Sequence, residues 1–156
     1  MFPIIFLLLM ALFDTWCVLT HRKLSKYKAA VGEGYNALKE VLDERLLKTE
    51  GIPKNPHTIA ILKARELVRS SGKDTRFRLN AERELTAAAK ELLKNAPNEK
   101  YEARMKELLA YSEALDPLIA AYNDAILAYS AAVKAFPAVL VATMLGHRPP
   151  APYSLD

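Results

Sequence analysis

From Tyr101 the chain repeats large side chains at alternating steps of four and three residues: Met105, Leu108, Ser112, Leu115, Ile119, Tyr122, Ile126, Tyr129, Val133 and Phe136, with Ser112 the only small polar interruption. Residues three and four apart share one face of an α-helix, so this stripe predicts a long helix whose apolar seam is buried against other helices. Pro117 falls inside it, where proline removes a backbone donor and clashes with the carbonyl four residues back. Asp116–Pro117 is also a good cap and first-turn pair. The three-four phase runs through Pro117 without slipping, which favours one long kinked helix over two.

The rest of the chain supplies packing partners. Leu24, Tyr27, Val31, Tyr35, Leu38, Leu42 and Arg45 or Leu46 recur at helical spacing up to about Lys48. Gly32 and Gly34 weaken that helix, and the small-x-small pair would permit close approach of another backbone, with local tolerance the blander reading. Gly51, Pro53 and Pro56 end it. A second helix starts at His57 or Thr58, carries Ile59, Leu62, Leu67 and Val68, and stops at Ser70, Ser71 and Gly72. A third follows Asp74, with Phe77, Ala81, Leu85, Ala88 and Leu92 on one face and a run of small residues from Thr86 to Ala89. Asn95, Pro97 and Asn98 turn the chain into the organising helix, Asn98 as its N-cap. Beyond Phe136–Pro137 a short apolar segment, Val139 to Leu145, packs on the bundle as a lid or touches a bilayer. The tail from His147 to Asp156 is proline-rich and extended.

The first twenty residues break the amphipathic pattern. Met1 to Thr20 are apolar apart from Asp14 and two threonines, and twenty helical residues span about 30 Å, the thickness of a bilayer's hydrocarbon core. No basic residue precedes the run and no small-x-small site follows it, so a spanning anchor is preferred to a cleaved signal peptide. Cys17 follows Thr15 and Trp16, which does not suit a lipid-modified cysteine. His21, Arg22, Lys23, Lys26 and Lys28 follow at once. Positive charge stays on the cytoplasmic side, so the expected topology is N-terminus out and helical domain cytoplasmic, in the inner membrane or one derived from it. Trp16 then sits near the inner interface. Asp14 is the anomaly, since a carboxylate at mid-bilayer costs roughly 2.5 to 3.5 kcal/mol; it is a candidate contact with another membrane protein, or else interfacial or neutral.

Three regions follow: an anchor at 1–20, a helical bundle at 21–146 and a tail at 147–156. The fold class is all-α, an N-terminal transmembrane helix followed by an antiparallel, four-helix-bundle-like domain of long helices. Composition agrees. Among 156 residues only five are glycine, and 51% are hydrophobic against 26% charged, which fits one helical domain with an appendage. One cysteine excludes an internal disulfide. The formal charge of +4 is modest, and the densest basic region, Lys63 to Arg83, is interrupted by Glu66, Asp74 and Glu82. It reads as a solvated helix face, with a patch for anionic lipid or acidic partners the alternative, and nucleic acid is disfavoured as a partner.

No chemical motif emerges. The residues three before His21, His57 and His147 are Val18, Lys54 and Met144, so the Glu-x-x-His pairs of di-iron bundles are missing. Neither a His-Glu-x-x-His metal motif, a phosphate loop, a dinucleotide glycine motif nor a nucleophile elbow is present. The histidines read as surface or capping residues, and Tyr101, Tyr122 and Tyr129 as seam residues with a hydroxyl at the edge. Catalytic residues, cofactor and metal are all expected to be absent.

The C-terminal third carries a resemblance. Ala121-Tyr122-Asn123-Asp124-Ala125, then Tyr129, Phe136-Pro137, Leu140-Val141-Ala142 and Gly146-His147-Arg148-Pro149 resemble the signature of the LemA family. These are bacterial proteins with one N-terminal membrane helix and a bundle of long antiparallel helices, and one branch is linked to magnetosome membrane formation. The resemblance covers roughly Asn80 to Pro150 plus the anchor. Departures are Gly51-Ile52-Pro53-Lys54-Asn55-Pro56, which keeps only part of the family's Ile-Pro-Asn-Leu-Val turn, and Pro117 with Ala120-Ala121, where relatives carry helix formers and an arginine. The resemblance implies a divergent member and no catalytic residues. Asn123 and Asp124 either bond across to another helix or face water.

Two functions compete. The leading expectation is a non-enzymatic, membrane-anchored scaffold whose partners are other membrane proteins or itself. The alternative is a sensory bundle holding a small apolar molecule or lipid in space left by Ala88, Ala89, Ala121 and Ala125.

Overall fold

The computed structural model describes residues 2–72, 74–95 and 99–153, with side chains at 3–72, 74–95 and 101–153. The protein is all-α, with no strand among the described residues. Its helices are α1 (Phe2–Lys48), α2 (Ile59–Ser70), α3 (Thr75–Asn95), α4 (Glu99–Lys134) and α5 (Ala138–Met144). They form two compact units, Met1–Asn36 with Ala120–Asp156, and Ala37–Ile119.

α1 joins the apolar run to the first amphipathic helix without a break, over 47 residues or about 70 Å. Gly32 and Gly34 do not break it, and it ends at Lys48, shortly before Gly51. Gly51 then adopts φ +70°, a left-handed conformation that only glycine accepts cheaply. α4 likewise runs through Pro117 as one helix, as the uninterrupted phase requires.

In the Ala37–Ile119 unit, α1 and α3 run the same way, since Asp43 bonds Arg78 and Arg45 bonds Glu82. α4 runs opposite to α1, with Glu50 meeting Arg104 and Lys48 meeting Glu107. The core draws on α2 (Ile61, Ala64, Val68), α3 (Ala81, Leu85, Ala88, Ala89, Leu92) and α4 (Met105, Leu108), with Ile52 of the connection. That connection is held by side chains. Asn55 Oδ1 accepts from the amides of His57 and Thr58, while the buried Thr58 hydroxyl donates to the Pro53 carbonyl at 2.6 Å. Asp74 caps α3, its carboxylate accepting from the Phe77 amide at 3.1 Å.

Three expectations from the periodicity are corrected. Ile59 and Leu67 are exposed, because the buried face of α2 passes through Ile61, Ala64 and Val68, and the small Ala64 hides that phase from a reading based on bulk. Phe77 is also exposed: Leu79, two residues on and so about 200° around the helix, takes the inward place. Phe136 is off the seam at 83% exposure, since α4 stops at Lys134 and the chain turns by 100° into α5. The turn at Pro97 and the Asn98 cap lie outside the described residues.

In the other unit, α1 and α4 pack antiparallel. Tyr35 and Tyr122 have ring centroids 6.2 Å apart, and further down the pair Trp16, Thr20 and Leu24 face Ala132 and Phe136 across one cleft. A Cβ at Gly34 would lie 3.4 Å from Tyr122 Cα, whereas one at Gly32 would meet nothing within 4 Å. Gly34 alone therefore serves close approach of the helices.

Candidate functional site

The signature residues of the C-terminal third mostly build one assembly around the end of α4. Tyr122 is buried against Tyr35, and burial, followed by the neighbouring Tyr35, raises the pKa of its phenol. The next residue, Asn123, does not face water. Its Nδ2 donates to the Tyr153 carbonyl and its Oδ1 accepts from the Tyr153 amide, both at 2.8 Å. A primary amide presents a donor and an acceptor side by side, so it can close this two-bond ring with a single residue of extended backbone. Tyr153, 7% exposed, is thereby fastened on the bundle. Asp124 is exposed, and Ala125 half-buried.

Gly146 ends α5 at φ +67°. The His147 amide donates to the Ala142 carbonyl at 2.9 Å and the Gly146 amide to Thr143 at 3.4 Å, the paired bonds of a Schellman cap. The cap throws the chain back, and His147 lands between α4 and α1. Its Nδ1 lies 2.8 Å from Tyr129 Oη, and its Nε2 lies 3.2 Å from His21 Nδ1. One neutral arrangement satisfies all three groups: the Tyr129 hydroxyl donates to His147 Nδ1, and His147 Nε2–H donates to His21. Burial lowers the His147 pKa, and the electrostatic influence of the neighbouring His21 and of Lys28 lowers it further, which favours that neutral form. Burial also raises the Tyr129 pKa, so its phenol stays protonated at neutral pH. A protonated phenol and a neutral imidazole make a tie between chain segments. Pro149, half-buried, begins the stretch that leads to Tyr153, while Phe136 and Pro137 are exposed at the far end of the turn.

Losing the clasp should free the tail. Asn123→Ala is expected to cost roughly 1 to 3 kcal/mol, the range for leaving buried polar groups unpaired, and to expose residues 147–153 to protease at concentrations that leave the wild type intact. Unchanged cleavage would mean that Asn123 does not hold the tail.

The Ala37–Ile119 unit holds a second polar centre that sequence reasoning missed. Arg45 and Glu82 are buried at 1% and 2% exposure, with Arg45 Nη1 2.9 Å from Glu82 Oε2. Arg45 also donates to the Thr86 hydroxyl at 2.6 Å, and Thr86 lies 3.3 Å from the Ser112 hydroxyl. Glu82, expected on a solvated face, is therefore a core residue. Its spacing carried the signal: Leu79, Glu82, Thr86 and Ala89 step by three and four, as do Leu38, Leu42, Arg45 and Thr49. Each helix places one charge of opposite sign on its inward face. Burial raises the Glu82 pKa to about 7, against the opposing pull of Arg45 and then Arg78, and burial lowers that of Arg45. Arg45 Nε and Glu82 Oε1 have no hydrogen-bond partner among the described residues.

The basic region is tied into its own unit. Arg65 donates to the Thr49 carbonyl, Arg69 pairs with Glu50 and Glu66, and Arg78 pairs with Asp43; Lys73 lies outside the described residues. Ala88 and Ala89 are buried in the core of that unit, whereas Ala121 is exposed and Ala125 half-buried in the other. No group of three His, Cys, Asp or Glu among the described residues is placed to hold a metal ion.

At the N-terminal end, α1 is long and apolar enough to cross a membrane, and no residue of its apolar window is buried. Asp14 is exposed among Leu12, Phe13 and Val18, while the Thr15 hydroxyl donates back to the Ala11 carbonyl at 2.8 Å. No protein-family model, curated protein or solved structure matches the chain.

Proposed function

We propose that this protein is a non-enzymatic, membrane-anchored helical scaffold that organises other membrane proteins or copies of itself. The observation that carries this reading is the continuity of α1. A largely exposed apolar segment with a single carboxylate continues, in one helix, into the residues that pack against α4. The anchor and the helix packed against α4 are thus one element. The basic flank from His21 to Lys28 favours the orientation with N-terminus out and the packed helices cytoplasmic, in an inner or inner-derived membrane. The resemblance to the LemA family supports the same architecture and offers no catalytic residue.

Asp14 is the partner-facing group in this proposal. A carboxylate exposed on a spanning helix is costly unless another polar group meets it in the membrane. Crosslinking of native membranes, followed by gentle solubilisation, is expected to recover the protein in complexes. Asp14→Leu should insert as well as wild type while losing several-fold in the amount of co-purified partner. Monomer alone from wild-type membranes would overturn the scaffold. Complexes undiminished by Asp14→Leu would remove Asp14 from the contact.

A further inference from the structure

The antiparallel pairing of α1 and α4 puts the end of α4 at a definite height on α1. Tyr122 lies beside Gly34 and Tyr35, and Phe136 and Pro137 share a 260 Å³ cleft with Trp16 and Thr20. Phe136 therefore sits where the apolar run ends and the basic residues begin. The chain then bends by 100° into α5. A helix at that angle to α4 lies across α1 as well, and so along the surface of any bilayer that α1 enters.

α5 carries no charged side chain. Val141 and Ala142 face inward and are buried, whereas Phe136, Leu140, Met144 and Leu145 are 83%, 54%, 77% and 54% exposed. Scattered apolar residues on a surface are ordinary, but a contiguous set marks a surface with a partner. Even the exposed hydroxyl of Thr143 is spent internally, donating to the Val139 carbonyl at 2.8 Å, as Thr15 does in the apolar run. The charges around this face have one sign. No Asp or Glu occurs from Thr15 to Gly32 or from Ala125 to Leu155, while Arg22, Lys23, Lys134 and Arg148 are exposed there.

We infer that Phe136 and α5 form an interfacial foot resting at the headgroup boundary of the leaflet from which α1 emerges, with its basic collar bound to anionic phospholipid. The inference rests on α1 entering the bilayer. Val141 and Ala142 hold the foot to the protein, Phe136, Leu140 and Met144 enter the lipid, and the cations lie at headgroup level, where each Lys or Arg adds to attraction for an anionic surface. Two apolar contacts, span and foot, fix the tilt and rotation of α1, which a single helix leaves free.

Fluorescence quenching of the full-length protein tests this. In a Cys17→Ser background, single cysteines replacing Leu9, Asp124 or Met144 carry an environment-sensitive fluorophore, and the protein is reconstituted into phosphatidylcholine vesicles with or without phosphatidylglycerol. Each label is challenged with spin-labelled lipid and with aqueous iodide. With phosphatidylglycerol present, Met144→Cys is expected to be quenched by lipid and several-fold less by iodide than Asp124→Cys, and Leu9→Cys by lipid alone. Iodide quenching at Met144 equal to that at Asp124, with Leu9 still in lipid, would overturn the foot and leave the span standing. Iodide quenching at Leu9 would overturn the span itself. Equal lipid quenching at Met144 in both compositions would overturn the role of anionic lipid. Phe136→Cys gives an independent second position, and both replaced side chains are exposed, so neither exchange opens the core.

Discussion

At pH 8, Glu82→Ala is expected to lower the stability of the Ala37–Ile119 unit by about 3 to 5 kcal/mol, the range for stranding one member of a buried ion pair. Arg45 is 1% exposed and would keep its charge while losing the carboxylate 2.9 Å away. Thr86 would remain as a neutral acceptor, which cannot offset desolvation of a guanidinium. Replacing both partners by apolar residues, Arg45→Met with Glu82→Leu, should cost far less or even stabilise, because the pair must recover a large desolvation penalty before contributing anything. The same penalty sets the pH dependence. Burial raises the Glu82 pKa to about 7 from an unfolded value of 4.5, so between those values the folded state binds more proton than the unfolded state. The resulting stability is fully present below pH 4.5 and is lost as pH rises through 7. Wild type should therefore fall relative to Glu82→Gln between pH 5.5 and 8.5, as read by chemical denaturation of the full chain in detergent. A gain by wild type over that interval would mean that attraction to Arg45 outweighs burial.

Ile126→Ala is the second large effect, at about 2 to 5 kcal/mol. Ile126 is fully buried on α4 between Tyr122 and Tyr129, and truncation removes apolar contacts while leaving a cavity that stiff aromatic neighbours cannot close. Leu127, one residue on and about 100° around the helix, is 55% exposed. Leu127→Ala should cost about 0.5 kcal/mol or less. Both exchanges slightly favour helix propensity, so the difference between them reports packing alone. Thermal unfolding in detergent, followed by circular dichroism, measures it. Equal losses at the two positions would place the buried seam elsewhere on α4.

What was legible from residues alone was what repeats. The three-four phase of Met105 to Val133 depends only on helical geometry, and it placed the inward face of α4 through Pro117. The apolar run from Met1 to Thr20 and the helix stop at Gly51, Pro53 and Pro56 are equally local, since hydropathy and backbone sterics act within a few residues. Extrapolation failed where the helix stopped: the phase cannot carry Phe136 inward once the chain has turned by 100°. It also failed where a small or charged residue occupied an inward position, as at Ala64 and Glu82, because bulk and polarity are poor guides when packing leaves room or a partner waits on another helix.

Tertiary structure alone decided which polar groups find each other. Asn123 bonds a residue thirty positions away in the tail, His147 returns to Tyr129 and His21, and Arg45 meets Glu82 across α1 and α3. A hydrogen bond or ion pair between distant residues has no period in the chain, and its partner is fixed only when helix directions and heights are set. By itself the sequence determined the all-α class, an N-terminal helix able to cross a membrane and the inward face of α4, because hydrophobic burial follows helical periodicity. The tail clasp, the buried charge pair and the exposed apolar face of α5 were decided by packing, because each depends on where one helix ends relative to another.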